Sequence, residues 1–147
     1  MRSTVSIRVA APCDRVLPLA ASVERWPERL PHYRYVRAVP GAERRFAMGA
    51  RRGPIPVRWE AIERIAADER RIEFVHTAGV TRGMRATWRF DPLDGGAACE
   101  ASIEHELVLG WPLIGRFALE RIIGPGFIEP IARRTLRRVK ALAEAQA

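Results

Sequence analysis

Hydrophobic and polar positions change their period twice along this chain. Ser3 to Ala10 alternates, with Val5, Ile7 and Val9 set against Ser6 and Arg8, which predicts an opening strand. Pro12 and Asp14 then mark the start of a helix over 15–22, in which Pro18 is expected to produce a kink or an early end. Val23 to Pro31 predicts a second short helix, with two prolines leaving little room for regular structure. From Tyr33 the period falls to two, and strands are expected near 33–40, 43–51, 55–66, 70–79, 83–91 and 97–109. The final stretch, 112–147, is a helical stripe. Ile128, Ala132, Thr135, Leu136, Val139, Leu142 and Ala143 share one face, and Arg133, Arg134, Arg137, Arg138 and Lys140 fall on the other.

The punctuation fits antiparallel hairpins. Pro40-Gly41, Gly53-Pro54, 67–69, 79–83 and Asp94-Gly95-Gly96 each separate two strands, and these connections are too short for parallel crossovers. The class is therefore α+β. Parity assigns the faces: Ile72, Phe74 and His76 share a side, as do Met84, Ala86, Trp88 and Phe90, Val57, Trp59 and Ala61, and Ala101, Ile103, His105 and Leu107. The terminal helix needs a surface for its stripe, and one face of the sheet is the only large apolar surface on offer. Space left between the two becomes a ligand chamber.

The length, 147 residues, suits one domain over 1–147 that buries about 70% of its unfolded surface. The start of the chain alternates instead of running apolar, so no signal peptide is expected, and nothing approaches the ~20 apolar residues of a membrane span. Cys13 and Cys99 are too few and too isolated for a disulfide framework, and read as two buried thiols of a cytoplasmic protein. The net charge is +8, and Lys140 is the only Lys. Clustered guanidinium groups attract RNA, ribosome or anionic lipid. Here, however, the Arg residues are dispersed, the run from Arg133 to Arg138 sits on a helix face expected to be solvated, and a G+C-rich genome gives the same bias.

Chemistry must come from polar groups pointing into the apolar space. His76 and His105 lead, because each is placed by parity on the inner face and exchanges protons near neutral pH. The competing account of each is a core histidine satisfied by a carbonyl or hydroxyl. Tyr33 and Tyr35 present polar tips near the chamber mouth, while Arg82 and Arg85 sit near a hairpin and could clamp an acidic group. Met48, Trp59, Phe74, Met84, Trp88, Ile103, Phe127 and Ile131 are expected as lining, with Tyr35 among the ligand contacts. Gly124-Pro125-Gly126 should divide the terminal helix into a piece over 113–123 and another from 127, as a hinge for a lid or as a static kink. No phosphate loop, nucleophile elbow or His/Cys metal pattern occurs. In Glu104-His105-Glu106 alternation sends the imidazole away from both carboxylates, so neither metal nor cofactor is expected.

Several strings resemble the START-like, helix-grip (Bet v 1-like) superfamily, also labelled SRPBCC or polyketide cyclase/dehydrase. They are Ala10-Ala11-Pro12 after the first strand, Glu24-Arg25-Trp26-Pro27 followed by Leu30-Pro31-His32, and Trp111-Pro112-Leu113-Ile114-Gly115. The resemblance implies a curved seven-stranded antiparallel sheet wrapped round the C-terminal helix, with an apolar tunnel between them and Trp26-Pro27 near its mouth. It also implies a spread of functions: lipid, sterol and quinone binding, ribosome association, and aromatase/cyclase activity. The expectation is a binder of a hydrophobic small molecule such as a lipid, quinone or polyketide-like compound. A cyclase using His76 and His105 comes second, and a ribosome- or RNA-associated protein third. A homodimer is left open.

Overall fold

The computed structural model describes residues 2–41, 43–79, 81–107 and 128–146. β1 (Arg2–Val9) leads into α1 (Cys13–Ala21), a 3-10 turn at Val23–Arg25 and α2 (Trp26–Arg29). Six strands follow: β2 (Tyr33–Val39), β3 (Arg45–Arg52), β4 (Ile55–Ala66), β5 (Arg71–Gly79), β6 (Arg85–Leu93) and β7 (Ala98–Glu106). Beyond them lies α3 (Glu129–Ala145). Pro18 stays inside α1, and Pro130 sits in the first turn of α3, where its missing N–H costs no helical bond. Phe127, the 113–123 helix piece and the Gly124-Pro125-Gly126 break lie outside the described residues.

All seven strands form one antiparallel sheet in the order β1-β7-β6-β5-β4-β3-β2. Each hairpin pairs with the next, and only β1 joins from the far end of the sequence. The concave face carries Phe46, Met48, Ala61, Ile72, Phe74, Ala86, Trp88, Phe90, Ala101 and Ile103, all buried. α3 lays its stripe against that face and against β1 and α1. Leu136, Val139 and Ala143 are buried in the same core as Val5, Val9, Val16 and Ala20. The C-terminal half of α3 is thus packed solid, while the wider hollow lies under its first two turns.

Two irregularities reset the alternation. On β2, Tyr33 pairs with Ala50 but Tyr35 pairs with Gly49, so Arg34 is an extra residue. On β5, Ala61 pairs with His76 and Glu60 with Ala78, so Thr77 is extra. A bulge of one residue moves everything beyond it to the opposite face. Tyr33 consequently points inward and is buried, whereas Tyr35 is turned outward, with its ring over Gly49 and the Arg37 guanidinium 4.7 Å from its centroid.

Candidate functional site

Between the sheet and the first turns of α3 lies a cavity of about 630 Å³. Its floor is built by β3 to β7, which contribute Met48, Trp59, Phe74, Ala86, Trp88 and Ile103; its roof is Ile128, Ile131, Ala132 and Thr135 of α3. Trp26 of α2 and Tyr33 close one side. The lining reaches the surface along Ile55 to Arg58 at the start of β4 and at Gly79, and Ile55 is 47% exposed there. Two of the lining positions carry small side chains, Ala86 in the floor and Ala132 in the roof.

Aromatic rings form a continuous wall. Trp26 lies 5.0 Å from Tyr33, 5.8 Å from Phe74 and 6.2 Å from Trp88, and Tyr33 lies edge-on to Trp59 at 5.8 Å. Trp59 stacks on the His76 imidazole at 5.8 Å with 10° between the planes. Gly79 makes that stack possible. It sits opposite Trp59 at φ +98°, and a Cβ there would press on the Trp59 Cα at 2.8 Å.

The polar groups of the cavity are few. His76 Nδ1 is 2.8 Å from Thr81 Oγ1, a hydrogen bond supplied by the turn between β5 and β6. His105, opposite Ala86 in the sheet, lines the cavity and makes no ring hydrogen bond to any described residue. Burial lowers the His76 pKa to about 3, with His105 adding a smaller push in the same direction, and lowers that of His105 to about 4. Both imidazoles are neutral at pH 7. Burial raises the Tyr33 phenol, which stays protonated beside the Thr135 hydroxyl. The Trp26 Nε1–H is buried and has no hydrogen-bond partner among the described residues. Among the buried ionisable groups outside the cavity is Glu63 on the concave face of β4, whose Oε1 accepts from Arg44 Nε at 2.9 Å and Nη2 at 2.8 Å while Oε2 has no partner among the described residues. Burial outweighs Arg44 and lifts its pKa to about 7.

Of the residues expected from sequence, Met48, Trp59, Phe74, His76, Met84, Trp88, Ile103, His105 and Ile131 are all placed on the cavity wall. Tyr35 is not, because the bulge at Arg34 rotates it to the outer face. Arg82 and Arg85 are exposed, and Arg85 pairs with Glu73 at 3.9 Å. Trp26, Thr81, Ile128 and Thr135 were not singled out as ligand contacts. Thr135 did carry a signal, as a hydroxyl set in an otherwise apolar stripe. Among the described residues no three His, Cys, Asp or Glu side chains converge as metal ligands, and no helix is long and apolar enough to cross a membrane.

Residues 9–123 match the family model described as polyketide cyclase / dehydrase and lipid transport. A search of curated proteins found no match. Among solved structures, a Thermus thermophilus protein superposes with a TM-score of 0.81 at 21% identity, over 100% of this chain and 99% of that one. The Zhui aromatase/cyclase of a Streptomyces species gives 0.80 at 19%, over 98% and 93%. A START superfamily protein of Mycobacterium smegmatis gives 0.69 at 15%, over 96% and 98%. These three are similar in fold.

Proposed function

The chain belongs to the polyketide cyclase / dehydrase and lipid transport family, within the START-like superfamily, and from that premise we propose that it binds and carries a flat, mostly apolar small molecule bearing one or two oxygens. The observation that carries this reading is the cavity of about 630 Å³, walled by Trp26, Tyr33, Trp59, Phe74 and Trp88. Affinity comes mainly from apolar burial: about 300 Å² removed from water is worth about 7 kcal/mol before the costs of association. Orientation comes from the polar groups. Neutral His105 donates to or accepts from a ligand oxygen in the cavity.

A second reading, an aromatase/cyclase, is favoured by the nearness of His76 and His105 in one apolar chamber. In that reaction a neutral imidazole takes a proton from a methylene flanked by carbonyls, and the resulting enolate closes a ring. The lowered pKa values argue for carriage instead. A general base works best with a pKa near the operating pH, and imidazoles held at about 3 and 4 are weak bases at pH 7.

Native mass spectrometry of freshly purified protein, with solvent extraction of what co-purifies, tests the proposal. A bound apolar compound is expected in the wild type and is lost in Ala132→Phe, which fills the roof of the cavity while α3 stays packed through Leu136 and Val139. Protein that emerges empty, and binds no quinone, fatty acid or aromatic polyketide mimic, removes the carrier reading. Turnover of a poly-β-ketone mimic that His105→Ala abolishes puts the cyclase in its place.

A further inference from the structure

Arg134, Arg137 and Arg138 recur at helical spacing on the face of α3 turned away from the cavity. With Pro31, His32 and Ala141 they line a separate groove of about 290 Å³. Among the described residues no carboxylate stands in its wall. That is unusual for this protein, in which Arg2, Arg8, Arg25, Arg44, Arg64 and Lys140 all hold acidic partners. Among the described residues Arg134 and Arg137 make no ion pair.

Part of the groove is also held rigidly. Arg138 Nε donates to the Arg29 carbonyl at 2.7 Å, which fixes the guanidinium at the end of α2 and leaves its terminal N–H groups uncommitted. Thr135 Oγ1 donates to the Ile131 carbonyl at 2.8 Å, so the proton in the 2.9 Å bond between His32 and Thr135 belongs to His32 Nε2. His32 is thereby locked as the wall between groove and cavity. Arg134 adds to the burial that keeps this imidazole uncharged, a sign of the positive potential in the groove.

We propose that this groove binds the terminal phosphate of a phosphate monoester, with Arg134, Arg137 and Arg138 as its ligands. Three guanidinium forks along one helix face, with no competing carboxylate among the described residues of the groove, supply the donors that a phosphate dianion accepts through charge-assisted hydrogen bonds. The phosphate group has two sources, a soluble ester or a phosphatidic acid headgroup in a bilayer, and both present the same three oxygens.

The test is a titration of the whole chain with phenyl phosphate at pH 7 and constant ionic strength, followed by NMR of the His32 ring and the arginine side chains. A parallel arm measures co-sedimentation with phosphatidylcholine vesicles with and without phosphatidic acid. Saturable shifts at His32 are expected, with a Kd of about 1 mM or tighter. The doubly substituted Arg134→Gln, Arg137→Gln protein is expected to bind about tenfold or more weakly, since even one lost charge-assisted bond contributes about that factor. Neither residue packs in the core, and an unchanged circular dichroism spectrum establishes that the variant is folded. Saturation by phenyl phosphate assigns the soluble source, and selective sedimentation with phosphatidic acid alone assigns the lipid. Shifts that rise linearly and equally in wild type and variant, with no selective sedimentation, overturn the proposal. So does tight binding of single-stranded RNA that phenyl phosphate does not compete, which makes the face a diffuse electrostatic stripe.

Discussion

Lowering the pH from 7 to 5 destabilises this fold through its three buried histidines. His32, His76 and His105 are 4%, 7% and 8% exposed, and burial is the leading cause that brings their pKa values to about 4, 3 and 4 from 6.5. A folded-state value below the unfolded one means stability that is fully present above pH 6.5 and is lost as the pH falls toward the folded value. The unfolded chain takes up protons that the native state refuses. Between pH 7 and pH 5 each imidazole contributes a loss of about 2 kcal/mol, or about 6 kcal/mol for the three. Glu63 acts in the opposite sense. Its pKa is raised from 4.5 to about 7, so the folded state binds the extra proton and gains about 2 kcal/mol over the same interval. The net loss is about 4 kcal/mol, a large share of the roughly 5–15 kcal/mol typical of a domain. Urea denaturation at pH 7 and pH 5 measures it directly. His76→Gln and His105→Gln should each flatten the dependence by about 2 kcal/mol, and Glu63→Gln should steepen it by a similar amount. Equal unfolding free energies at the two pH values would refute the reasoning, because they require imidazoles that titrate normally and hence reach water.

Three further outcomes follow from particular contacts. Tyr35→Ala leaves ligand affinity within about twofold, because the ring lies outside the cavity, whereas Trp59→Ala weakens it by about tenfold or more through the lost stack and apolar area, as read by fluorescence titration. Gly79→Ala lowers stability by about 2 kcal/mol in urea melts, since alanine at φ +98° is strained and its methyl meets the backbone of β4. Cys13 and Cys99 are both free and buried, with Sγ atoms 2.7 Å apart, and burial raises the Cys99 thiol; an aromatic disulfide reagent is expected to modify neither in native protein and both in denaturant.

The sequence alone determined the element order, the antiparallel sheet and most of the wall, because alternation over a strand and a stripe over a helix are local consequences of burying one face. Met84 to Phe90 and Leu136 to Ala143 show this, and seven of the expected contact residues, with both expected histidines, stand in the cavity wall for that reason. What the tertiary structure decided lies where one residue breaks the count or where distant segments meet. The extra Arg34 turned Tyr33 inward and Tyr35 outward, and no local pattern announces a bulge. Glu63 became a buried acid held by Arg44, which reaches it from the residue just before the neighbouring strand β3. His32 enters the sequence reading only in the string Leu30-Pro31-His32, yet packing against Thr135, 103 positions later, made it the partition between the cavity and the arginine groove. Volume is the deepest such property. Whether Ala86 and Ala132 leave a hollow or close on each other depends on how far the sheet curves beneath α3, and that distance is fixed only once every long-range contact is made.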